Sequence, residues 1–131
     1  MPYKTLTAKT SREWDSQIAA ALIVALNLTT GEEAAAINEG RGFRFMTDAG
    51  IVEGHIIHGH PEFKTNRYLP GWVHFCFADP MRANSCSVLS IGNRLNPYSG
   101  KWNWMFTGET RELESMIYSL QCINPRGVEI L

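Results

Sequence analysis

Apolar residues recur at helical spacing through Trp14, Ile18, Ala21, Leu22, Ala25 and Leu28, and Thr10 with Glu13 has the form of a capping box. The pattern therefore predicts a first helix starting at Thr10. Ile23, Val24 and Leu26 fall off the stripe and widen the apolar surface to most of the circumference, which calls for burial on several sides or docking on a second copy of the chain. Thr30 and Glu33 offer another capping box, followed by Ala34, Ala35, Ala36 and Ile37, a short helix that Gly40 ends in the left-handed conformation.

Beyond Gly42 the apolar residues come in shorter stretches. Phe43 and Phe45, then Ile51, Val52, Ile56 and Ile57, flank Asp48-Ala49-Gly50 as a hairpin. The polar stretch from His60 to Pro70 is expected to be an exposed loop. Gly71 to Phe77 is the strongest strand: its period of two puts Val73, Phe75 and Phe77 on a core face and Trp72, His74 and Cys76 on the other, and Asp79-Pro80 ends it. Ser85 to Leu95 and Lys101 to Phe106 read as two more strands joined by the turn Asn96-Pro97-Tyr98-Ser99-Gly100.

After Gly108, Leu113, Met116, Ile117 and Leu120 follow the helical rule, with Glu109, Glu112 and Glu114 in the opening turns where the helix dipole favours acids. Asn124 to Gly127 stops that helix, and Val128, Ile130 and Leu131 form a tail expected to pack as an edge strand or against the body. With no helix-length segment among the strands, parallel crossovers have no place. The expected architecture is α+β: one domain over residues 1–131, with an antiparallel sheet of about four to five strands packed against N-terminal and C-terminal helices.

Composition supports a folded chain. Of 131 residues, 44% are hydrophobic and 19% charged, which excludes a disordered protein. The apolar run from Ile18 to Leu28 is too short for the ~20 residues of a membrane-crossing helix. The chain opens without a secretory pattern, so a cytoplasmic location is expected. Cys76, Cys86 and Cys122, odd in number and scattered, read as free thiols rather than a disulfide framework.

A net charge of −1 gives the whole molecule no electrostatic case for non-specific nucleic-acid binding, but it is a sum of unlike parts. Residues 1–40 and 107–131 each carry −2, and residues 41–106 carry +3. In that basic centre Arg94, Tyr98, Lys101, Trp102, Trp104 and Trp72 form the leading binding set. Aromatic and arginine side chains of this kind supply most protein-interface hot spots, and a similar mixture on a sheet can stack single-stranded bases.

The four histidines all fall between residues 55 and 74. If His58 and His60 share a face of one extended segment and His74 and Cys76 a face of the next, four soft ligands could meet as a zinc site. Cys76 could alternatively act as a nucleophile with His55 or His58, oriented by Asp48 or Asp79. The sequence has no Gly-x-Gly-x-x-Gly, phosphate loop, HExxH or Gly-x-Ser-x-Gly. The leading expectation is thus a small regulatory or accessory protein that acts by protein–protein binding without catalysis, with the first helix as a homodimer contact. A metal-dependent or thiol enzyme using the His55 to Cys76 cluster and a single-stranded nucleic-acid binder are the alternatives.

Overall fold

The computed structural model describes residues 8–28, 31–48, 50–61, 67–78, 94–96, 101–104, 106 and 108–131. The helices are α1 (Ala8–Ala25), α2 (Gly31–Asn38) and α3 (Thr110–Cys122). The strands are β1 (Phe43–Thr47), β2 (Gly50–Ile57), β3 (His60–Pro61), β4 (Tyr68–Leu69), β5 (Trp72–Phe77), β6 (Arg94–Asn96), β7 (Lys101–Trp104) and β8 (Arg126–Ile130).

Six strands form one sheet in the order β6-β7-β5-β2-β1-β8, every neighbouring pair antiparallel, and β3 with β4 makes a separate small pair. The α+β class follows as expected from the sequence. The sheet exceeds the expected four to five strands because the C-terminal tail joins its edge as β8 and the short β6 adds the other edge. Both edges pair through few residues, so they contribute little apolar signal of their own.

Strict alternation builds the core. Phe43, Phe45, Val52, Ile56, Val73, Phe75 and Phe77 are buried on one face of β1, β2 and β5. They form a single cluster with Trp14, Ile18 and Leu22 of α1, Ile37 of α2, and Leu113, Met116 and Leu120 of α3. The helices therefore lie on one side of the sheet. The breadth of apolar surface on α1 is used within the chain, against α3 and the sheet, and leaves Val24 58% exposed.

Helix ends follow local chemistry. Asn27 (φ 54°) terminates α1 and Gly40 (φ 89°) terminates α2. Leu28 N–H to Ile23 O and Asn27 N–H to Val24 O at the first end, and Arg41 N–H to Ala36 O and Gly40 N–H to Ile37 O at the second, are the bonds of a Schellman motif. At the start of α3, Glu112 accepts the Glu109 N–H at 2.7 Å. Helix α1 begins at Ala8 rather than at Thr10, so Thr10 lies inside it: Ala8 and Lys9 are good helix formers and carry the helix further upstream. Thr30 lies outside the described residues.

Two expectations about strands need correction. The stretch from His60 to Pro70 is not simply an exposed loop: its ends pair as β3 and β4, and Pro70 is buried. The strand expected over Ser85 to Leu95 is described only at Arg94–Asn96, and residues 85–93 fall outside the described set. The hairpin at Asp48 stands as read, with Thr47 opposite Gly50 and the Thr47 hydroxyl 3.1 Å from the Gly50 N–H.

Gly54 sits between Phe43 and Phe75 in adjacent register positions. A Cβ there would come 2.9 Å from the His74 carbonyl, 3.0 Å from the Phe75 ring and 3.1 Å from the Phe43 ring. Gly54→Ala is expected to lower stability by about 1–3 kcal/mol through overpacking, read as a lower urea midpoint at unchanged slope.

Candidate binding face

The face of the sheet away from the helices is organised by the ladder, because residues directly opposite one another share a face. One row across it runs Glu129, Arg44, Glu53, Cys76, Lys101, Asn96 from β8 to β6. The next runs His55, His74, Asn103, Arg94. On the other side of the first row, Met46 and Ile51 face each other across β1 and β2, 50% and 42% exposed.

Arg44 links the β8–β1–β2 half, with its guanidinium 3.5 Å from Glu53 and 3.4 Å from Glu129. These are partly exposed pairs at long range, so they set local charge more than they stabilise. His55 and His74 stand directly opposite, with ring centroids 5.3 Å apart.

This register divides the leading binding set. In the ladder Trp102 is in register with Phe75 and Trp104 with Val73, the core positions of β5. Lys101 and Arg94 belong to the rows of the other face. Trp72 is half-buried, packs partly against the core and carries the His60 ring edge-on at 5.8 Å. Tyr98 lies outside the described residues.

The proposed zinc set is a correction. His58 has left the β2 ladder, and its Nε2 is 3.0 Å from the Asn38 carbonyl at the end of α2. His60 packs on Trp72, and His74 and Cys76 follow Trp72 along the same face of β5. Among the described residues, no three His, Cys, Asp or Glu side chains form a group able to hold a metal. Alternation puts His58 and His60 on the register opposite to His55, and β2 ends at Ile57, so neither joins the row of His55 and His74.

Cys76 is half-buried opposite Glu53 and forms no disulfide, and Asp48, one of its proposed orienting groups, sits at the hairpin tip 3.0 Å from Arg126. Cys122 is exposed, and Cys86 and Asp79 lie outside the described residues.

One polar cluster escaped sequence reasoning. Asp15 on α1 is buried and accepts the Gly59 N–H with both carboxylate oxygens, at 3.0 and 3.1 Å. Burial raises its pKa above the ordinary carboxylate value, against the lowering effects of the Gly59 hydrogen bond and of nearby His58. Ser11 Oγ and Trp14 Nε1 on the same helix are buried without a hydrogen-bond partner. A Cβ on Gly59 would collide with the Ser11 hydroxyl, and one on Gly71 with the Asp15 carboxylate. This cluster is a close seat for α1 on the backbone at both ends of the β3–β4 excursion. Asp15 and Gly59 are 44 residues apart in the chain, which no local spacing could reveal.

A cleft of about 250 Å³ lies between Leu26–Leu28, Glu33 and Pro125–Val128. Its guanidinium, Arg126, already binds Asp48 and the Asn124 carbonyl, and it holds no cysteine, serine or histidine. No helix among the described residues is long and apolar enough to cross a membrane. In comparisons with known proteins, the chain matches no family model, and no curated protein or solved structure is significantly similar to it.

Proposed function

We propose that the chain is a binding domain without a catalytic centre, which presents the sheet face away from its helices to a protein partner. The observation that carries this reading is the exposed pair Met46 and Ile51 beside a ladder of charged and polar residues, on the side opposite all three helices. Exposed apolar side chains bordered by arginine and polar groups have the composition of protein interfaces. The nucleic-acid alternative is weaker, because Trp102 and Trp104 fall on the core-side register and Glu53 and Glu129 would face a phosphate backbone.

A photo-crosslinking amino acid at position 46, expressed in the source cell, is expected to yield a protein adduct of defined mass. The same group in place of Tyr118, exposed on α3, is expected to yield none. No adduct from position 46, or the same adduct from both positions, would overturn the proposal.

A further inference from the structure

We infer that the outer edge of β8 takes up an extended segment of another protein, with basic and apolar residues in alternation, as a further strand of the sheet. This goes beyond the proposed sheet face and stands or falls apart from it. β8 closes one end of the six-stranded sheet and pairs only with β1 among the described strands. Leu131 donates its N–H to the Gly42 carbonyl at 2.9 Å, so alternation turns the N–H and C=O of Ile130, opposite Phe43, away from β1. The same groups of Val128 follow two residues back. The register with β1 shifts beside Gly127 (φ 64°), which leaves residues 128–131 as the regular part of the edge. β8 contains neither proline nor lysine, residues that commonly block such an edge.

Both sides of this edge specify what fits it. On the outward face the Glu129 side chain is 62% exposed and shares Arg44 with Glu53, so these three side chains carry one negative charge in excess. The surroundings are acidic as well: residues 31–57 and 126–130 hold six carboxylates and three guanidiniums. Of the other two guanidiniums, Arg126 is paired with Asp48 and Arg41 donates to the Leu131 carbonyl. A lysine or arginine opposite Glu129 on the added strand stands ~5 Å from it, Cβ to Cβ. On the helix side Val128 and Ile130 pack partly against the core, and Val128 lines the cleft together with Leu28. An apolar side chain opposite Val128 extends that surface. Main-chain bonds to Val128 and Ile130 then supply affinity, and the two faces select the segment. A second copy of the chain does not fit. Two β8 edges paired about Val128, Glu129 or Ile130 set the two Glu129 residues opposite or diagonal to each other, where like charges repel.

The test uses a dye-labelled octapeptide of alternating lysine and valine, read by fluorescence anisotropy, with amide hydrogen exchange followed by NMR. The intact chain is expected to bind it, and to bind an octapeptide of alternating glutamate and valine at least about ten-fold more weakly. The valines, opposite Val128 and Ile130, are the residues whose N–H groups face β8. Proline in place of the two central valines removes those donors at unchanged charge and is expected to cost about ten-fold. At saturation, exchange of the Ile130 amide is expected to slow by about ten-fold or more.

Glu129→Lys is expected to weaken binding of the lysine peptide about ten-fold. Glu129→Gln should cost about three-fold, and it keeps the test valid if the lysine disturbs Arg44. Glu114→Lys, exposed on α3, makes the same change in net charge and is expected to alter binding by less than about two-fold. Absence of binding, equal affinity for the proline peptide, unchanged exchange at Ile130, or equal losses from Glu129→Lys and Glu114→Lys would overturn the inference. So would a dimer whose Ile130 amide is protected without peptide, which would assign the edge to a second copy.

Discussion

Gly71→Ala is expected to destabilise the domain by about 3 kcal/mol, at the upper end of what overpacking costs. The new methyl group would stand 2.6 Å from the Ile57 carbonyl and 3.1 Å from the Gly59 nitrogen, and would collide with the Asp15 carboxylate. Rotating Asp15 away clears only one of these contacts and strips the Gly59 N–H of its acceptor. The Ile57 carbonyl belongs to β2 where it pairs with Trp72 of β5, so relief on that side means shifting the ladder. Gly31→Ala is the matching control: a Cβ there meets nothing within 4 Å, and its effect should stay within about 0.5 kcal/mol. Urea denaturation of the two variants beside the parent checks both statements. Comparable stability for Gly71→Ala and the parent would mean that α1 is not seated as described.

Asp15→Ala is expected to cost about 1–3 kcal/mol, because it leaves the Gly59 N–H buried without an acceptor. Asp15→Asn keeps an acceptor and should separate the hydrogen bond from the charge. Burial raises the Asp15 pKa, so between its ordinary value and the raised one the folded chain holds a proton that the unfolded chain has lost. Stability from this group is accordingly complete at acid pH and falls as pH rises through that window. The stability difference between Asp15→Asn and the parent should therefore shift in favour of asparagine from acid to neutral pH, while the other carboxylates cancel. Denaturation of both proteins across that range checks the sign. A shift in favour of aspartate would show that hydrogen bonding and His58 outweigh desolvation.

Elements whose burial follows their own period could be read in advance. Val73, Phe75 and Phe77 in β5 and Leu113, Met116 and Leu120 in α3 point to the core because each side of the element meets a different environment. Gly40 was legible because only a residue tolerant of positive φ closes a helix in that way. The register of Trp102 and Trp104 was not, since period two pairs them without saying which β5 residues they stand opposite. The histidine spacing misled for a related reason: His58 is bonded to the end of α2 and His60 packs edge-on against Trp72, partners that lie outside their own segment. Asp15, Gly59 and Gly71 carry no signature because their meaning arises only when α1 presses on the backbone.

The partner of β1 on its outer side comes late. Arg44 and Glu129, opposite each other in the finished sheet, are separated by 85 positions. As the chain emerges from the ribosome, the β1–β2 hairpin can close at once, but the free edge of β1 stays open through the synthesis of everything up to β8. An open edge next to Met46 and Ile51 is a template for pairing with another nascent chain. Folding yield should therefore depend on how quickly α3 delivers β8, and truncation before Arg126 should show itself as aggregation during expression rather than as a modest loss of stability.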